Sequence, residues 1–385
     1  MCQSFDVIVV GGGIVGLSAA VAMNQHGFSV GLLDAGALTD DPHTPLPRVY
    51  AINHASQSLL HRLGVWDSLD KARVSPYQHM HVWDAVNGAH IDFDARMIAR
   101  DRLGTIIEES VIKQALLQQI STQGITLFPH RTVTKVQPRS DVVEISDGVS
   151  TWQAELLIVA DGANSATRDL LGVEITRWPY HQHAIVTRIH TEKPHQQTAY
   201  QVFNADGPLA FLPLADPHQC SIVWSTTATR AQALMTLDDA EFATQLTAAF
   251  AATLGDCTVA DKRHLFPLLM RHAKRYSGPH WLLMGDAAHT IHPLAGLGLN
   301  VGLADLAAWC ARLDADKPQS WSDKALGAYQ RQRKADVWKV IALMEGLKMI
   351  FVNPSPPVAA LRGLGLRACN YLLPLKRFFI EQAAS

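Results

Sequence analysis

The sequence predicts an α/β fold: a Rossmann-like parallel-sheet domain interleaved with an antiparallel β-sheet domain and followed by a C-terminal helical tail. Three observations predict it. The chain opens on a β-branched run, a glycine-rich turn and a stretch of helical composition. Two later stretches alternate β-branched and aromatic residues with polar ones. Past Gly346 the chain turns apolar and basic.

Phe5 to Val10 has the composition of a strand buried on both faces. Ile14 to His26 follows as a helix that Gly27 is placed to end, and Ser29 to Asp34 is a second apolar strand. Together they form the strand–helix–strand crossover of a parallel sheet. Val111 to Thr122 reads as a helix, with Val111, Ile112, Ala115, Leu116 and Gln119 on one side. Val133 to Val136, Val142 to Ile145 and Thr151 to Ala154 are short strands punctuated by Pro138, Asp141 and Asp147-Gly148, which predicts a meander. Leu156 to Ala160 is a further apolar strand. Tyr77 to Phe93 and His183 to Trp224 read as half-solvated antiparallel strands of one sheet domain inserted twice into the first. Trp281 to Gly285 restores the buried-strand pattern, and Leu299 to Leu313 is a helix. The expected division is residues 1–75, 101–178 and 267–345 for the dinucleotide-binding domain, 76–100 and 179–266 for the sheet domain, and 346–385 for the tail.

Composition bounds the function. A chain of 385 residues is long enough for two or three domains and needs no metal or disulfide staples. Apolar residues make up 48% and charged residues 18%, which excludes a disordered chain. Thirty-three basic residues against 35 acidic ones, with no basic block, carry no footprint for nucleic acid. Five cysteines without CxxC spacing point to free thiols in a reducing compartment. Val7 to Met23 is uncharged but has no basic stretch before it and is broken by four glycines. It therefore reads as neither a signal peptide nor a spanning helix.

Three motifs carry chemistry. Gly11-Gly12-Gly13-Ile14-Val15-Gly16 fits G-x-G-x-x-G: a tight turn, a close approach to a pyrophosphate, and a helix packed on its strand. The helix N-terminus offers free N–H groups and partial positive charge to phosphate. Asp34 lies 23 residues after Gly11, at the end of the second strand, where a carboxylate can accept from an adenosine ribose. This fingerprint fits NAD and FAD alike. The second motif, Asp161-Gly162-Ala163-Asn164-Ser165 running on to Arg168, follows a buried strand. So does the third, from Gly285-Asp286-Ala287 to Asn300. There Asp286 can accept from a polyol, Gly296 and Gly298 admit a flat ring, and the helix from Leu299 aims its N-terminal dipole at a developing anion.

In this order and spacing the three motifs resemble the flavoprotein monooxygenases of the para-hydroxybenzoate hydroxylase fold. Arg48-Val49-Tyr50-Ala51-Ile52, Gly104-Thr105-Ile106-Ile107-Glu108 and the stretch from Gly207 to Leu214 narrow this to the ubiquinone-biosynthesis hydroxylases. Met80-His81-Val82-Trp83-Asp84 and Ile91-Asp92-Phe93-Asp94 resemble the 2-octaprenylphenol hydroxylase branch. The resemblance runs from about residue 5 to 382. It implies a Rossmann-like FAD-binding domain, with NAD(P)H as transient reductant and O2 as co-substrate. It further implies hydroxylation of a polyprenylphenol through a flavin C4a-hydroperoxide. Gly11, Gly13, Ile14, Val15, Gly16 and Asp34 would hold the ADP half of FAD, with Asp34 where the family more often has Glu. Asp161, Gly162, Ser165 and Arg168 match the motif that in the family touches the pyrophosphate region. Gly285, Asp286 and Ala287 would meet the ribityl chain. Pro293, Gly296, Leu297, Gly298, Leu299 and Asn300 would line the isoalloxazine, with Arg48 and Pro293 beside the reacting flavin. One departure is Leu297, where the family usually carries Gln.

Ring hydroxylation by triplet oxygen is spin-forbidden, and no side chain supplies single electrons for it, so the cofactor carries the hard step. Eighteen histidines leave the general base unassigned, and His289-x-x-His292 and His79-x-His81 lack a third ligand, so no metal is expected. The tail holds Lys348, Arg362, Arg367, Lys376 and Arg377 against Glu381 among apolar positions. It reads as helices packed on the domain, as an oligomer or quinone-biosynthesis complex interface, or as a contact with the inner face of a membrane by a cytoplasmic protein. A monooxygenase of a small soluble aromatic acid and a non-catalytic structural subunit are the rival readings.

Overall fold

The computed structural model describes residues 2–38, 48–291, 298–315, 321–352 and 370. Five of its strands run parallel in one sheet, in the spatial order Trp281–Leu283, Thr151–Val159, Cys2–Val10, Val30–Leu33, Thr126–Phe128. Strand Cys2–Val10 lies at the centre, and its last four residues are fully buried. That burial on both faces is why this strand is a continuous aliphatic run and not an alternating one. Helix Ile14–Gln25 covers one face, packed between helices Glu109–Gln123 and Gly298–Ala315. It is apolar nearly all round, as a helix enclosed on all sides must be. His26 caps it and Gly27, at φ +91°, takes the chain out.

Among the described residues the second sheet has nine strands, with Ile175–Thr191 pairing three neighbours: His264–Ala273, Gln219–Thr227 and Cys257–Val259. Most of its pairings are antiparallel, but His79–Asp84 lies parallel to Thr198–Asn204. These strands come from the two separate insertions and are not joined by a hairpin, so no turn dictates their direction. Strand Gln219–Thr227 departs from the half-solvated alternation expected of this sheet, with Cys220, Ser221 and Ile222 buried in succession. Helices Ala228–Thr236 and Asp239–Ala249 bury one face, with Phe242, Leu246 and Phe250 packed against Ile185, Phe211 and Trp224. Phe250 stacks on Phe211 with ring centroids 3.6 Å apart.

A third, three-stranded sheet joins Val49–Ile52, Gly104–Glu108 and Val74–Tyr77. The expected strands Thr151 to Ala154 and Leu156 to Ala160 are one strand, Thr151–Val159. Glu155, which looks like a break, points outward and accepts Trp321 Nε1 at 2.9 Å. Helix Asp323–Val352 runs past Gly346 into the expected tail; of the remaining tail only Asn370 is described, and its side chain accepts Asp92 N–H.

Candidate functional site

The three motifs converge because their strands are neighbours in register. Val10 lies opposite Leu33 on one side and Val159 on the other, and Val159 lies opposite Leu283. Each chain leaves the sheet at the same level, and the crossing bonds confirm it: Gly11 N–H to Leu33 O at 2.8 Å, Ala160 N–H to Val10 O at 2.8 Å, Met284 N–H to Val159 O at 3.0 Å. With neighbouring strands about 4.8 Å apart, Asp34, Gly11, Asp161 and Gly285 stand in a row about 15 Å long at the carboxyl ends of their strands. A crevice at the carboxyl ends of parallel strands is where such sheets bind ligands.

The glycines divide by what surrounds them. Gly11 sits at φ +119°, and a Cβ there would lie 2.3 Å from Ala160 O. A Cβ on Gly16 would lie 1.9 Å from Gly11 O, so this residue seats the helix against the turn. At Gly13 and Gly162 an added Cβ would meet no atom of the protein within 4 Å. Gly13 is also the N-cap of helix Ile14–Gln25, and no side chain caps it. The helix therefore presents uncapped N–H groups to open space, the arrangement that binds phosphate. Ile14 is buried beneath that turn, and Val15 packs against Gly285 and Gly302, locking the first and third motifs together.

The acids differ in the same way. Asp34 accepts Gly12 N–H at 2.5 Å and Gly36 N–H at 2.7 Å, one on each oxygen, so its carboxylate organises the glycine turn. Asp161 Oδ2 accepts Thr167 N–H at 3.1 Å, whereas its buried Oδ1 has no partner. An orphaned acceptor of that kind marks a place for a donor from outside the chain. Asp286 is hemmed in by protein and yet keeps an exposed side chain, as a residue on the wall of a cleft does. Burial pushes its carboxyl above the usual range, against the opposing pull of His289, Arg48 and Arg271. The open glycines, uncapped helix, orphaned Asp161 oxygen and open Asp286 together fit a bound dinucleotide.

Other expected residues act as scaffolding. Ser165 is fully buried and caps helix Ala166–Leu170 through Arg168 N–H at 2.9 Å. Arg168, 1% exposed, donates to Ala163 O at 3.3 Å, Ala287 O at 3.2 Å and Asp169 Oδ1 at 3.1 Å. It staples the second motif to the third. Asn300 is buried too; it accepts Asn53 N–H at 3.1 Å and donates to Ala51 O at 2.7 Å, tying helix Gly298–Ala315 to strand Val49–Ile52. Leu299 and Ala287 are core residues, and Gly298 opens its helix with free space where a Cβ would stand. Arg48 is exposed, with its guanidinium 4.9 Å from the centre of the Phe266 ring. Pro293, Gly296 and Leu297 lie outside the described residues.

The structure adds residues that motif reading did not reach. Arg271, on strand His264–Ala273, is held by Asn164 Oδ1 at 3.0 Å and brings a cation from the second sheet toward Asp286. Asp305 is fully buried between His289 and Arg333. Burial alone would raise its carboxyl, but these two partners hold it below the usual range. Removing one partner from such a buried pair costs about 3–5 kcal/mol. In the sequence Asp305 stands out as one acid in an apolar helix, whereas Arg333 is hidden among the polar residues from Gln330 to Asp336.

Residues 4–343 match the family model described as FAD binding domain. The chain is 35% identical over 390 residues to the 3-demethoxyubiquinol 3-hydroxylase of Escherichia coli, covering 99% of this chain and 98% of that one. It is 32% identical to the human mitochondrial ubiquinone biosynthesis monooxygenase COQ6, covering 97% and 91%, and 32% identical to the ubiquinone hydroxylase UbiL of Rhodospirillum rubrum, covering 98% and 89%. Among solved structures, p-nitrophenol 4-monooxygenase PnpA from Pseudomonas putida superposes with a TM-score of 0.81 at 19% identity, over 100% of this chain and 99% of that one. At that identity the likeness shows the fold alone. The chain belongs to the FAD-binding-domain family, among the ubiquinone-biosynthesis hydroxylases, and is a FAD-dependent monooxygenase.

Proposed function

We propose that this monooxygenase hydroxylates the ring of a polyprenylated phenol in ubiquinone biosynthesis, with NAD(P)H as reductant and O2 as the source of the inserted oxygen. The observation that carries the reading is the crevice from Asp34 to Asp286, built at the ends of four adjacent parallel strands, in a chain whose relatives are named for ubiquinone biosynthesis. FAD, when bound, supplies hydride acceptance and oxygen activation. The chain's own residues do the rest. The uncapped N–H groups after Gly13 take the diphosphate, and Asp34 faces the adenosine end. The free Asp161 oxygen accepts from the middle of the ligand, and the open Asp286 carboxylate accepts from the ribityl hydroxyls. Arg48 and Arg271 stand near Asp286 as fixed cations able to stabilise negative charge developing at that end.

The 2-polyprenylphenol is the favoured substrate, on the likeness of Met80 to Asp84 and Ile91 to Asp94 to that branch. The E. coli relative carries the name of a different ring position, so product analysis must decide between them. Among the described residues no helix is long and apolar enough to cross a membrane. A prenylated substrate nevertheless resides in the bilayer, so we place the protein at the inner membrane face, reached from the cytoplasm and held by the basic apolar tail. Association into a homo-oligomer or a quinone-biosynthesis complex would bring substrate to it in the same way. The test is to delete the gene in its host and identify the accumulating quinone precursor. The purified enzyme, given that precursor, NAD(P)H and O2, should then return the product with one added oxygen. Accumulation of no prenylated phenol would overturn the reading.

A further inference from the structure

Asp305 does not reach the crevice, yet it holds the backbone of the turn that does. Its Oδ2 accepts Gly285 N–H at 2.9 Å and His289 Nε2–H at 2.7 Å, while Oδ1 accepts Arg333 Nε–H at 2.7 Å. Asp305 sits on helix Gly298–Ala315, and its donors come from the Gly285–Ala287 turn, strand His289–Thr290 and helix Asp323–Val352. Arg333 is fixed in turn by Asp336 Oδ2 at 3.1 Å and Val301 O at 3.4 Å. The turn it anchors is a tight one: Gly285 is at φ +59° and its carbonyl accepts Ala288 N–H at 2.9 Å. Asp286 stands between a bond to Asp305 at Gly285 and another at His289, so its direction is set from both sides. One backbone N–H and one imidazole held by the same buried carboxylate make a rigid mount for the exposed acid between them.

We propose that Asp305 and Arg333 are positioning residues for the cofactor: they fix the Gly285–Ala287 turn so that Asp286 is aimed before FAD arrives. The inference rests on the assignment of Asp286 to FAD. A carboxylate aimed in advance loses less freedom on binding, so the network acts on affinity without touching the ligand.

The test uses flavin-free full-length protein titrated with FAD by fluorescence quenching, with the midpoint potential of the bound flavin as a second readout. Asp305→Asn and Arg333→Gln are compared singly and together. The double variant leaves no lone buried charge, which separates aiming from simple charge burial. The expected result is a double variant that unfolds as cooperatively as the wild type, binds FAD about tenfold more weakly, and shows a shifted flavin potential. A folded double variant with FAD affinity within about twofold of wild type and an unchanged potential overturns the proposal. Should the double variant not unfold cooperatively, Arg333→Lys, which keeps the charge and loses the fork, decides on the same criterion. A wild-type protein that binds no FAD would instead sink the functional reading beneath it.

Discussion

Gly13→Ala and Gly16→Ala, three residues apart, separate contact with the ligand from packing of the scaffold. At Gly16 the added methyl would lie 1.9 Å from Gly11 O and 3.4 Å from Ala160 Cβ. A carbon and a carbonyl oxygen settle no closer than about 3.3 Å, so the helix must retreat by about 1.4 Å from the turn. Overpacking of this kind costs about 1–3 kcal/mol, and a misplacement of about 1 Å lowers a positioned interaction by about a hundredfold. At Gly13 the backbone, at φ −75° and ψ 171°, already suits alanine, and the methyl meets no protein atom within 4 Å. The poorer N-cap costs about 0.7 kcal/mol, and the less flexible unfolded chain returns about as much. Gly13→Ala should therefore melt within about 1–2 °C of the wild type while losing about tenfold or more in FAD affinity. Gly16→Ala should lose both stability and affinity. Thermal unfolding of the flavin-free proteins, paired with FAD titration, reads the two effects apart. Wild-type FAD affinity in Gly13→Ala would refute the placement of a ligand against that open face.

Asp286→Ala should leave the flavin-free protein folded, because the side chain is exposed and burial already disfavours its charge, but should abolish FAD retention, seen as loss of the yellow colour on gel filtration. His272 is 3% exposed, and burial, helped by the charges of Lys334 and His289, lowers its pKa from 6.5 to about 4. Since the unfolded chain binds that proton first, the stability it confers is complete above about pH 6.5 and is lost as the pH falls toward 4. The loss is about 3 kcal/mol, and urea unfolding of His272→Gln should show a shallower acid limb. Truncation after Asn353 should reduce recovery of the protein in the membrane fraction. An unchanged distribution would remove the tail from the account of substrate access.

Strand Cys2–Val10, helix Ile14–Gln25 and strand Val30–Leu33 fall within a few residues of where periodicity and glycine placement put them. The nearest-neighbour physics there is complete within about thirty residues. Glu155 shows the limit of that reading: it looks like a break in a strand, but Trp321, 166 residues away, supplies its partner. Ser165, Arg168 and Asn300 illustrate the other side. Their motifs drew attention to them, but only the folded chain shows that their side chains are spent on the scaffold.

The sequence by itself carried the three motifs, because turns, caps and buried strands are specified by short stretches of chain, and their resemblance to a known family carried the expectation of FAD. Only the tertiary structure decided which polar residues face the crevice and which bind the protein to itself, and it alone brought Asp305 under the Gly285–Ala287 turn. Burial and partnership at such sites depend on segments distant along the chain, and their pairing leaves no local period to read.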